Sequence, residues 1–247
     1  MVAQVAFAKS TPLKSIFLLA DSQLLFWSEN GQLFLDRVVR EFGRNTLKAA
    51  YIGASNGDQL DFYSIFVAAM EGVGVLDCRM IPSNFAEEDR AFLNQSDVIL
   101  LAGGDVDLGW RMLLANGIDD LIVRRFHEGA TLIGVSAGAV QLGVCYRAAE
   151  GSEGERVIKT LNLVPFIIGA HEESDDWKTT KELLHLLGVN RFAIGLPKGG
   201  GAIYHPDHTV EPIRYPLHEF SLERGETKHA FHLRNPDVEV EDLGRVG

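Results

Sequence analysis

The chain has 247 residues, 46% of them hydrophobic, enough to build a sizeable core in one α/β domain spanning residues 1–247. Its 34 acidic residues against 23 lysines and arginines leave a net charge of −11, which sets the surface against phosphate backbones and anionic lipid and excludes nucleic acid and membranes as expected partners. Cys78 and Cys145 are too few for a disulfide framework and lack metal-ligand spacing, so they read as core thiols; with no signal-peptide pattern and no apolar stretch of roughly 20 residues, a cytoplasmic protein is expected.

Apolar runs predict strands at 16–19, 47–52, 74–80, 98–101, 131–135 and 166–168, and helical spacing predicts helices at 32–42, 62–71, 87–94, 108–115 and 119–127. Asp58 and Asp61 are candidate caps for the second helix, whose interior is tightly apolar. The βαβ alternation implies a parallel sheet with helices on both faces, whose functional loops lie at the carboxyl ends of the strands. On that edge the segment Gly53-Ala-Ser55-Asn56-Gly57 should meet the loops described next.

The strand at 98–101 runs into Gly103-Gly104-Asp105. Glycines there let backbone N–H groups approach a ligand, and Asp105 suits the N-cap of the helix that follows. Trp110 is close enough to this turn to line a pocket. The strand at 131–135 ends in Gly134-Val135-Ser136-Ala137-Gly138, which lifts the Ser136 hydroxyl onto a strand-to-helix turn in the manner of a nucleophile elbow. The N–H of Ala137, with that of Gly103 or Gly104, could then bind an oxyanion.

A serine nucleophile needs a base, and the base needs a carboxylate. The apolar run at 163–170 ends at His171, on the same edge as the serine, and the polar segment before it carries Glu150, Glu153 and Glu155. From about residue 198 to 235 the chain reads as an antiparallel β extension, with hairpins turning at Pro206-Asp207 and near Gly225. His205 with His208, and His229 with His232, lack a third ligand at a convincing spacing, so no metal is expected. Trp27 and Trp177 are simplest as packing residues.

The segments LLAGGD, GVSAGA, LNLVPFIIGAH and FAIGLPKGGGAI, in this order from about residue 49 to 214, resemble peptidase family S51, which includes dipeptidase E and cyanophycinase. The resemblance implies a three-layer, parallel-sheet fold of the class I glutamine amidotransferase type, with serine in place of cysteine. It implies Ser136 as nucleophile, His171 as base, Gly104 and Ala137 as oxyanion donors, and Glu155 as the triad acid, with Glu153 and Glu150 still open. No cofactor is implied. The family usually follows its histidine with an aromatic and then a basic residue, whereas this chain has Glu172-Glu173-Ser174-Asp175-Asp176, and Lys198 replaces the dipeptidase glutamate. The expected reaction is hydrolysis of an aspartyl or β-aspartyl bond in a small peptide or in cyanophycin, with Glu172, Glu173, Lys198, Asp105 and Trp110 as candidate substrate contacts. The acidic patch suggests a cationic substrate, and a homodimer is compatible with this reading. Two alternatives are an α/β-hydrolase esterase, which shares Gly-x-Ser-x-Gly, and a non-catalytic amidotransferase-like binding protein.

Overall fold

Short runs of branched apolar residues bury both of their faces, and around these runs the molecule is layered. The computed structural model describes residues 12–43, 46–151, 154–188 and 191–233, the side chains of 149–156 excepted. In chain order, β1 (Ile16–Leu19) leads through a 3₁₀ turn to the small hairpin of β2 (Ser28–Glu29) and β3 (Gln32–Leu33), and then to α1 (Asp36–Arg40). Next come β4 (Lys48–Ile52), α2 (Leu60–Gly72), β5 (Asp77–Ile81), α3 (Glu87–Leu93) and β6 (Val98–Leu101). Helices α4 (Val106–Asn116) and α5 (Ile118–His127) precede β7 (Thr131–Val135) and α6 (Ala137–Leu142). A hairpin of β8 (Cys145–Gly151) and β9 (Gly154–Lys159) is followed by β10 (Ile167–Ala170), α7 (Lys178–Leu187) and β11 (Phe192–Leu196). The described chain closes with β12 (Gly201–Tyr204), β13 (Val210–Ile213), β14 (Leu217–Glu223) and β15 (Glu226–His232).

The main sheet has seven strands in the order β13-β12-β1-β7-β6-β4-β5. Its central five are mutually parallel, while β12 and β13 add antiparallel at one end. Alternation along each strand divides the core: Ile16, Leu18, Ile99 and Leu101 pack with residues of α4, α5 and α6, whereas Phe17, Leu19, Val98 and Leu100 pack with α1 and α2. A second sheet, β10-β11-β14-β15, stacks beyond α6. Ile168 and Ile194 join the core that includes α6, while Ile167, Ala193 and Phe220 meet Trp177, Leu183 and Leu184 at α7. This is the mostly parallel α/β architecture that the sequence implies.

Several elements differ from expectation. The helix predicted at 32–42 is β3 followed by the five-residue α1, because Asn30 and Gly31 both take positive φ (53° and 78°) and close a hairpin before any helix can start. Asp58 does not cap α2: its carboxylate accepts from the Ser83 N–H at 2.7 Å, and Gln59 takes the cap position without a side-chain bond. The antiparallel extension is split, its first hairpin extending the main sheet and its second completing the other sheet. His171 therefore leaves β10 in the second sheet, not a strand beside Ser136. The β8–β9 hairpin, α7 and β11 lie in a stretch where the apolar pattern predicts only one strand.

Candidate active site

β7 ends at Val135 and delivers Ser136 onto the turn before α6 with φ 49° and ψ −110°, a conformation that costs a non-glycine residue about 1–3 kcal/mol. The turn is braced on both sides. The Ser136 N–H donates to the Leu19 carbonyl at 2.8 Å, and its carbonyl accepts from the Val140 N–H at 3.1 Å. From the second sheet, β10 delivers His171 with φ 47°, anchored by its N–H on the Leu196 carbonyl at 2.9 Å. The two side chains meet across the sheets, with Nε2 of His171 2.8 Å from Oγ of Ser136.

The third loop follows β6. Gly104 has φ +136°, and a Cβ there would collide with the Ser55 carbonyl, so only glycine lets this backbone lie against the 54–56 turn. The Asp105 N–H donates to that same carbonyl at 2.7 Å, and the Asp105 carboxylate accepts from the Leu108 N–H at 2.8 Å, capping α4. Gln141, buried on α6 behind the serine, donates to Ser55 Oγ at 3.1 Å and to the Val106 carbonyl at 3.2 Å. Ser55, Gly104 and the start of α6 are thus one braced unit. Ala137, as the first residue of α6, has an N–H with no acceptor inside the helix.

A cavity of about 570 Å³ opens in front of this unit, lined by Ser136, His171, Gly103 and Gly104 together with Ser55, Asn56 and Gly57. A second cavity of about 650 Å³ shares Asp21 and His171 with the first and is lined besides by Glu173, Ser174 and Lys198. Three of the predicted loops come from the carboxyl ends of main-sheet strands, as expected, whereas the fourth, at His171, reaches the cavity from the second sheet.

The remaining sequence candidates separate. Glu173 reaches the second cavity and accepts from the Lys198 N–H at 2.5 Å. Glu172 turns to α7, where its carboxylate accepts from the Thr180 N–H at 3.1 Å and its hydroxyl at 3.0 Å. Burial raises the Glu172 carboxyl above the ordinary range, opposed by those two bonds. Asp176 pairs with Lys181 at 2.8 Å, so the acidic patch does not converge on the site. Trp110 is 5% exposed, packs in the core with residues of α5 and α6, and lines neither cavity. Asp105 is occupied as a cap and does not line either cavity. Glu153, and the side chains of Glu150 and Glu155, lie outside the described residues.

Away from the site, His205 pairs with Glu211 at 3.0 Å and His208 with the Tyr204 hydroxyl at 2.6 Å. His229 meets His218 on one face of the second sheet, while His232 turns to the Val210 carbonyl. Among the described residues no three His, Cys, Asp or Glu side chains gather as metal ligands, and no helix is long and apolar enough to cross a membrane. Burial, with Asp77 and Glu71 close by, pushes the Cys78 thiol up to about 11, and burial likewise raises that of Cys145.

Sequence reasoning did not find the walls of the first cavity, chiefly Leu25, Phe62, Ile65, Phe66 and Leu108. A signal existed. The stretch Phe62-Tyr-Ser-Ile-Phe-Val is apolar on more of its circumference than one buried stripe requires, which marks a second face with something to border.

A family model for peptidase family S51 matches residues 17–211. Among solved structures, a peptidase from an acI-B1 Actinobacterium is 13% identical, with a TM-score of 0.65 over 89% of this chain and 95% of that one. A protein provisionally named peptidase E from Listeria monocytogenes EGD-e is 20% identical, with a TM-score of 0.59 over 82% of this chain and 99% of that one. No curated protein sequence matches the chain. At these identities the structural likeness speaks for the fold, whereas the family match spans most of the sequence and takes in the serine turn and the histidine strand: the chain belongs to peptidase family S51.

Proposed function

We propose that the protein is a serine peptidase that hydrolyses a peptide bond in a small substrate. The observation that carries this reading is the 2.8 Å contact between Ser136 Oγ and His171 Nε2 at the mouth of a substrate-sized cavity. Ser136 attacks the scissile carbonyl while His171 takes its proton, and the developing oxyanion is met by the N–H groups of Gly104 and Ala137, with Gly103 as the alternative donor. The imidazolium then protonates the departing amine, and water releases the acyl group by the same steps in reverse. For the carboxylate that orients the imidazole, Glu155 is the first choice, with Glu153 and Glu150 behind it. These steps call on no metal or organic cofactor.

The formed Ser–His contact favours catalysis over a binding protein with a decayed site, and membership in S51 displaces the α/β-hydrolase esterase. For the substrate, the S51 resemblance suggests an aspartyl or β-aspartyl bond. Lys198, a cation lining the second cavity, could face a carboxylate of the departing residue.

A fluorophosphonate probe tests the mechanism directly. Wild type should be labelled, Ser136→Ala should not, and His171→Ala should be labelled orders of magnitude more slowly. Glu155→Gln should slow labelling more than Glu153→Gln or Glu150→Gln. Equal labelling of Ser136→Ala and wild type would end the proposal.

A further inference from the structure

The chemistry at the dyad gives the two cavities different roles. The carbonyl oxygen must lie at the glycine turn and the serine, whereas the departing amine must lie over His171, which gives it a proton. Both cavities border Asp21 and His171, but only one includes Gly103, Gly104 and Ser136, which puts it on the acyl side and leaves the one with Glu173 and Lys198 for the departing residue.

The acyl-side cavity is walled by Leu25, Phe62, Ile65, Phe66, Leu108 and Val135. Phe62, Ile65 and Leu108 are 44%, 36% and 39% exposed, and all three open onto this one cavity, an apolar patch where single exposed apolar residues would mean nothing. Among the described residues its lining has neither lysine nor arginine. The carboxylate it does have, Asp21, is engaged by the N–H groups of Gln23 at 2.9 Å and Gly199 at 2.6 Å. Asn56 is likewise tied, donating to the Tyr51 hydroxyl at 2.8 Å and accepting from the Gln59 N–H at 3.2 Å. An aspartyl carboxylate placed here would lose water without gaining a cation, next to a carboxylate already present.

We infer that the residue supplying the scissile carbonyl carries a large apolar side chain, of the leucine, methionine or phenylalanine kind, seated against Phe62, Ile65 and Leu108. This rests on the serine-peptidase reading and replaces the aspartyl reading on its acyl side: the cavity there discriminates by burial, while Glu173 and Lys198 line the cavity given to the departing residue.

The test is kcat/KM on a dipeptide series in which the first residue is Leu, Met, Phe, Asp or Lys and the second is held constant, with fluorophosphonate labelling run in parallel. The apolar members should be cleaved about tenfold or more faster than Asp or Lys, the worth of one buried side chain. Ile65→Arg, at a partly exposed position where the fold tolerates a charge, should lower turnover of the Leu substrate about tenfold and raise that of the Asp substrate. Leu108→Arg serves the same purpose if Ile65→Arg does not fold. Faster cleavage of the Asp substrate by wild type, or no change of preference in either folded arginine variant, overturns the inference while leaving the serine mechanism standing. Absence of fluorophosphonate labelling would bring down the mechanism, and the inference with it.

Discussion

Gly104→Ala is the sharpest single perturbation of this site. The added methyl would lie 2.5 Å from the Ser55 carbonyl carbon and 2.9 Å from the Asn56 nitrogen, and it would do so on a residue at φ +136°. Strain of that kind costs about 1–3 kcal/mol, and relieving it must rotate the 104 peptide or push the 54–56 turn away. If the Gly104 N–H meets the oxyanion, moving it removes about 2.7–4 kcal/mol of transition-state stabilisation, or 10²–10³ in kcat, with a smaller effect on KM. Gly117→Ala is the control, since Gly117 has φ +61° with nothing within 4 Å of its Cβ position and joins α4 to α5 away from the serine. It should cost roughly 1–2 kcal/mol of stability and leave kcat alone. Urea unfolding followed by circular dichroism, beside steady-state kinetics on the best dipeptide, separates the two effects. A folded Gly104→Ala enzyme turning over at the wild-type rate would refute the assignment of this N–H.

Three further expectations concern the frame around the site. Burial by itself would raise the Glu211 carboxyl, but two bonds from Arg37 at 2.8 and 2.7 Å and one from His205 hold it down to about 2 from 4.5. A depressed carboxylate stabilises the fold above pH 4.5 and loses that contribution as pH falls toward 2, so the stability gap between wild type and Glu211→Gln, at most about 3 kcal/mol, should close over that window in urea titrations. Glu172 has the opposite sign: with its native pKa raised, stability falls as pH climbs from 4.5 through that pKa, so Glu172→Gln should gain on wild type over the same rise in thermal melts. Glu172→Ala, which also leaves the Thr180 N–H without its acceptor, should lose about 1 kcal/mol near neutrality. Gln141→Leu should cost about 1–3 kcal/mol by stranding Ser55 and the Val106 carbonyl, and should slow fluorophosphonate labelling because the glycine turn loses its brace. Unaltered labelling by a destabilised Gln141→Leu would show the brace to be structural only.

Much of this protein is legible from local pattern. The runs at 16–19 and 98–101 are apolar at every position and that at 131–135 at all but Thr131, which only a strand covered on both faces needs, and they are the middle of the main sheet. The glycines around Ser136 and at 103–104 announce close backbone approaches, most strictly Gly104, Gly134 and Gly138, where a Cβ would collide with backbone, and the turns they mark line the cavity. Asp105 as a helix cap follows from its place before an amphipathic run, and the structure has it there. Asn30-Gly31 was equally readable as a hairpin turn, a local signal that the helical spacing of 32–42 obscures.

What periodicity could not decide is pairing. An apolar run ending in histidine looks the same whether it joins β7 or a different sheet, and only the register of β10 with β11 sets His171 across from Ser136 instead of beside it. The fate of each acidic residue after His171 is likewise tertiary: Thr180 claims Glu172, Lys181 claims Asp176, and Glu173 alone of these reaches a cavity wall. The apolar excess of α2 is visible in the sequence, but a hydrophobic face is the same letters whether it meets a core or a ligand. Which one it meets depends on what the fold brings opposite, and there the chain brings Ser136, His171 and the glycine turn.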